Sequence, residues 1–212
     1  MIERFFGEAA RDRIEAAVRA AEARTAGQVV AVVVARSDDY PEAALRGALW
    51  AAALAGAAAL VVDHWVALGL RELAAVELLG GLLGALAGRY GPPRRALAGG
   101  PRMAAAVRDR ALRAFLEHDL HHTSGGTGVL VFASLFEHQA MVLGDHGIHS
   151  RVGDDAWREA VELLVAGMRR GDPAGGFEAA IGSVGARLAE HFPRVPGGPG
   201  NELPDALEVD RE

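Results

Sequence analysis

AALRGALWAAALAGAAALVVDHWVALGLRELAAVELLGGLLGALAG, residues 43–88, is the stretch whose reading decides the fold. It divides at Asp63-His64 into two apolar segments. The first, Ala43 to Val62, would span ~30 Å as a helix, the thickness of a hydrocarbon core. Its single charge is Arg46, near enough to one end to reach the interface. The second, Trp65 to Gly88, carries Arg71, Glu72 and Glu77, and its uncharged part from Leu78 to Gly88 is too short to span alone. Trp65 and Tyr90 stand at its ends, as interfacial aromatics do, and Gly80, Gly81 and Gly84 allow a close helix partner. The expectation is a transmembrane helical hairpin over residues 43–90; a buried soluble pair of helices is the alternative.

The flanking charge orients the hairpin. Arg36 and Arg46 precede or open the first segment; Arg89, Arg94, Arg95 and Arg102 follow the second; between them lie only Asp63 and His64. Positive residues stay inside, so both ends face the cytoplasm of a multi-pass inner-membrane protein. The first residues, Met1-Ile2-Glu3-Arg4-Phe5-Phe6, have no apolar run behind them and do not read as a secretory signal. Membrane attachment falls to the internal stretch.

On either side of the hairpin the pattern is that of a layered α/β domain. Ile14, Ala17, Val18 and Ala21 recur at helical spacing within Glu8–Arg24, with Glu15, Arg19 and Glu22 opposite. Gln28 to Ala35 is apolar at nearly every position, the signature of a strand covered on both faces. After a Gly/Pro hinge at residues 91–101, a helix is expected from Arg102 to His121. Val129–Ser134 and His138–Leu143 read as two strands joined tightly enough to be antiparallel, followed by a turn at Gly144–Gly147. Two helices follow. Trp157, Val161, Leu164, Val165 and Met168 form the core stripe of one behind an Asp154 N-cap. The other opens Asp172-Pro173, cap then N1 proline, and carries Phe177, Ile181, Val184, Leu188 and Phe192. The organisation is thus residues 1–42 and 91–192 as two parts of one α/β domain, 43–90 as the inserted hairpin, and 193–212 as an extended acidic tail.

Composition excludes several functions. The net charge is -6, which argues against an electrostatic nucleic-acid binder. All basic residues are arginine, and there is no cysteine, so thiolate metal sites, disulfides and cysteine nucleophiles are absent.

The run TGVLVFASLFEHQAMVLGDHGI (residues 127–148), Trp157 in the next helix, GDPAGGF (171–177) and the tail Asn201-Glu202-Leu203-Pro204-Asp205 resemble bacterial membrane-anchored TPM-domain proteins. The resemblance covers nearly the whole chain. It implies a small mixed β-sheet sandwiched by helices, with the hairpin inserted after the first strand. It further implies one of the roles of such domains: acid phosphatase, binder of calcium or another divalent cation at acidic residues near one end of the sheet, or accessory protein in membrane-complex repair or assembly. Many of those domains face a lumen or the exterior, whereas the charge pattern here places the domain inside. Gln28 stands where similar sequences open the first strand with glutamate.

Candidate chemistry centres on loop carboxylates. Asp38, Asp39, Glu137 and Asp145 fall at strand ends, and a hard cation such as Ca or Mg wants several such oxygens. Asp145 is the best candidate for a phosphatase nucleophile or water-activating group. His118 and His122 share a helix face, with His121 between, and could chelate a borderline metal if His146 or His149 folded back. Residues 123–128, TSGGTG, lack a Walker lysine and precede a strand, so they are a poor phosphate loop. The favoured function is a non-catalytic accessory or assembly module with a protein partner at the membrane. A metal-dependent phosphatase and a purely structural membrane protein are the alternatives.

Overall fold

A computed structural model describes residues 2–123, 125–194 and 200–210. In chain order the elements are α1 (Ile2–Phe5), α2 (Glu8–Glu22), β1 (Gln28–Val34), α3 (Pro41–Asp63), α4 (Leu70–Ala87), α5 (Gly91–Ala98) and α6 (Gly100–Glu117), then β2 (Gly128–Ser134), β3 (Gln139–Gly144), α7 (His146–Val152), α8 (Arg158–Arg170), α9 (Pro173–His191) and β4 (Glu208–Asp210). They divide into two compact units, residues 1–37 with 104–212, and residues 38–103.

The first unit is built on a four-stranded mixed sheet in the order β3-β2-β1-β4. β1 pairs parallel with β2 and with β4, and β2 pairs antiparallel with β3. Alternation along the central strands feeds two separate cores. Val29, Ala31, Val33, Val129, Val131 and Ala133 pack with Ile14 and Val18 of α2, Leu164 of α8 and Phe177, Ile181, Val184 and Leu188 of α9. Val30, Val32, Val34, Leu130 and Phe132 pack instead with Val107, Ala111 and Ala114 of α6 and with Leu120. Every residue of β1 and β2 is buried, which is why both read as unbroken apolar runs. The cap at Asp172 is as expected: its side chain accepts from the Gly175 N–H, behind Gly171 at φ 78°.

Four expectations change. Residues 208–210, expected in a free acidic tail, form the edge strand β4 against Val32–Val34, with Leu207 buried in the core. Three residues, two of them acidic, carry too little periodicity to announce a strand. The turn at 144–147 runs into the short helix α7, and the Gly/Pro hinge holds the helix α5, whose prolines sit in its first turn where their missing N–H groups are not needed. The cap expected at Asp154 gives way to a 3-10 turn over Asp154–Trp157.

The second unit is a helical hairpin closed by α5. Where α3 and α4 meet, a Cβ on Gly47 or Gly84 would run into the other glycine's carbonyl, and one on Gly88 into that of Ala43. The two backbones therefore touch. Leu45, Leu49, Trp50, Leu54, Leu60, Leu78, Leu79, Leu82 and Leu83 point outward and are exposed. Among the described residues, α3 alone is long and apolar enough to cross a membrane; α4, with Arg71, Glu72 and Glu77, is not. The expected pair of spanning helices thus reduces to one that meets the requirement and one packed against it. Glu72 lies in the first turn of α4, against Gly69, and Glu77 lies over the bare backbone of Gly56 on α3.

Candidate functional site

At the C-terminal ends of β1 and β2 the chain organises itself around Glu137. Its side chain is fully buried. Oε1 accepts from the Ser37 N–H at 3.0 Å, and Oε2 accepts from the Ser134 hydroxyl. Ser134 in turn accepts from the Ser37 hydroxyl at 2.9 Å. The strand ends are drawn together further by the Leu135 N–H on the Val34 carbonyl and the Phe136 N–H on that of Ala35. Glu137, expected as a loop ligand, is an acceptor that ties two loops across more than ninety residues of sequence.

Asp145 lies at the other end of the same strand. Its N–H donates to the Gly128 carbonyl at 2.9 Å, and Gly128 opens β2 whereas Ser134 closes it. Seven strand residues put the two acidic positions on the order of 20 Å apart. Glu137 and Asp145 therefore do not share an ion. Asp145 Oδ1 accepts from the His146 N–H at 2.6 Å, where α7 begins. The loop 125–128 packs here: the Gly126 carbonyl abuts Gly147, and the Leu120 carbonyl abuts Gly128.

The histidines gather at this end, but not in the expected set. α6 stops at Glu117, and Asp119 takes a left-handed conformation, φ 53°, before a 3-10 turn over Leu120–His122. The reversal brings Asp119, His121 and His122 together in place of the His118/His122 pair; one ligand atom from each lies within 4.8 Å of the others. His149, the other suggested ligand, lies outside the residues whose side chains are described.

Asp38 and Asp39 belong to the second unit, where each meets an arginine. Asp38 pairs with Arg102, which also reaches Glu42 at 3.3 Å. Burial pushes the Asp38 carboxyl upward, but the Arg102 hydrogen bond and charge, with the Asp39 N–H, hold it below its ordinary value. Arg94 donates to the Asp39 carbonyl and stands 3.9 Å from its carboxylate. These pairs join the entry of α3 to α5 and the start of α6.

Sequence reasoning missed Asp119 altogether, and the roles of Glu22 and Gln28. Glu22 sits on the nominally polar side of α2 yet is buried, with Oε1 accepting from the Val29 N–H at 2.7 Å. Burial raises its carboxyl to about 7; the charge of Asp205 and a hydrogen bond with its side chain add to this, against the Val29 N–H and Arg194. Gln28 Oε1 accepts from the N–H groups of Glu202 and Leu203, at 2.8 and 3.3 Å. Asn201 donates to Asp205 at 2.7 Å. The Asn201–Asp205 segment is thus a docking segment for β4. The one signal in the sequence was two polar residues, Glu22 and Gln28, flanking the turn into a wholly apolar strand.

No family model matches the chain, and no curated protein does. Among solved structures, an NMR structure of BA42 protein from the psychrophilic bacterium Bizionia argentinensis sp. nov. is similar over 99% of each chain, with a TM-score of 0.62 at 18% identity. At that identity the likeness is one of fold.

Proposed function

We propose that the chain is a TPM-like domain tethered to the inner (cytoplasmic) membrane by the α3–α4 hairpin, serving as a non-catalytic accessory or assembly module for a protein partner there. The outward apolar surface of that hairpin carries the reading. Leu49, Trp50, Leu54, Leu60, Leu78 and Leu82 are all more than half exposed. Soluble monomers rarely leave so many large apolar side chains of one hairpin in water, whereas a bilayer covers them. α3 is the span by length and composition; α4, which falls short of that requirement by itself, would return by packing its glycines against α3. Arg71 and Glu72, in the first turn of α4, would then reach the far interface, and the Glu77 carboxylate, which lies against Gly56 of α3, would face its partner helix as intramembrane charges do. The arginines after α4 keep the domain cytoplasmic.

The non-catalytic reading rests on the carboxylates. Glu137 is taken up by Ser37 and Ser134, and Asp38 by Arg102. The hydroxyls of Ser37 and Ser134 do meet the Glu137 carboxylate, but all three residues are buried and bonded to one another. Glu137 and Asp145 lie at opposite ends of β2, so one divalent cation does not take both.

The absence of cysteine makes the topology directly testable. A single cysteine at His64 is expected to react with a membrane-impermeant maleimide added outside intact spheroplasts. One at Ser150, exposed on α7, is expected to react only after lysis. Equal labelling of both in intact cells, or extraction of the protein by alkaline carbonate, would refute the tether.

A further inference from the structure

We infer that Asp119, His121 and His122 form a binding site for a borderline divalent transition ion, of the class of Zn²⁺, at the end of the sheet remote from Glu137. The inference is independent of the membrane reading.

The site is shaped by a buried anchor. Leu120 is fully buried among Val30, Leu130 and Phe132, and its carbonyl rests on Gly128. With Leu120 pointing in, the left-handed Asp119 before it and the two histidines after it are left exposed. His122 Nδ1 stands 3.2 Å from Asp119 Oδ1. Two donors bound to one tetrahedral ion by bonds of ~2.0–2.1 Å lie about 3.3 Å apart, so this pair already has the required separation. The His121 and His122 rings lie 3.8 Å apart between centroids, tilted by 39°. The third ligand atom is within 4.8 Å of the other two, and the His121 side chain that supplies it is exposed.

The donor set selects the ion. Two imidazoles and one carboxylate suit Zn²⁺ and its first-row neighbours, whereas Ca²⁺ and Mg²⁺ want six or more oxygens. Three protein ligands on a solvent-facing turn leave the remaining positions to water, an open and exchangeable arrangement. The alternative is a simple His122–Asp119 hydrogen bond beside a stacked histidine, and the two are separable by titration.

The test is calorimetric titration of the untagged full-length protein in detergent with zinc, and separately with calcium. The expected result is one zinc per chain, weakened toward acid pH because imidazole must be neutral to ligate, with calcium failing to compete. Each of Asp119→Asn, His121→Gln and His122→Gln is expected to weaken binding by at least the ~10–100-fold seen on losing a supporting residue. The triple variant should abolish it. The histidine ring signals of His121 and His122 should shift on zinc addition. All three residues are exposed, so metal-free melting should be unchanged in the variants, which separates loss of a ligand from loss of the fold. Absence of zinc binding, or undiminished binding in the triple variant, would overturn the assignment.

Discussion

Glu137 shows how far a residue's role departs from its place in the sequence. An acidic residue in a short strand connection reads as solvated. Here it is the acceptor that the Ser37 N–H and the Ser134 hydroxyl need once water is excluded. Glu137→Ala would strand those buried donors and is expected to cost about 2–4 kcal/mol, read as a loss of melting temperature; Glu137→Gln, which keeps one acceptor, should cost less than half of that. Glu22 carries the pH dependence. Its carboxyl titrates near 7 in the fold, against about 4.3 in an unfolded chain. Between those values the unfolded chain releases a proton that the folded chain keeps. Stability from this group is therefore complete below pH 4, falls as pH rises, and levels off above 7, by about 4 kcal/mol at most. Glu22→Gln retains an oxygen for the Val29 N–H and offers an N–H to Asp205. It should remove that slope and exceed the parent protein in stability at pH 8, while matching it at pH 4, in melts followed by circular dichroism. A higher melting temperature for the parent at pH 8 would refute this account.

At the scale of elements, what periodicity can encode was legible and what depends on a distant partner was not. β1 and β2 announced themselves because burial on both faces demands an unbroken apolar run. α8 and α9 did so through their stripes and the Gly171–Asp172–Pro173 punctuation. β4 did not, since three residues gain their strand character only from pairing with Val32–Val34. The residues of the proposed ion site were half legible: helical spacing pointed to His118 and His122, and only the left-handed turn at Asp119, which no periodicity predicts, put Asp119 and His121 beside His122 instead. Truncation after Arg194 would remove β4 and the buried Leu207, and should destabilise the domain by about 3 kcal/mol while baring the β1 edge to association, visible by light scattering. Between α3 and α4 the decisive positions are glycines. Gly84→Leu cannot fit against the Gly47 carbonyl and should separate the helices, measured as loss of crosslinking between cysteines placed at Ala48 and Gly81. Gly91→Ala, at a site with no neighbour within 4 Å, serves as the comparison; its cost is confined to the positive φ of 52°.

For the molecule as a whole, the chain order has a consequence for synthesis. β1 leaves the ribosome early, yet its partner β2 follows only after the α3–α4 hairpin and α6, and its other partner β4 is nearly the last segment made. At ~5–20 residues per second, the run Gln28–Val34 waits several seconds with neither edge satisfied. Such a segment is a hazard for off-pathway pairing while it waits. The hairpin arrives directly behind it, and a hairpin that enters the bilayer as it is made would hold the nascent strand at the membrane, apart from other unfinished chains. The anchor would then act first as a holding device for an incomplete sheet, and only afterwards as the tether of a finished one.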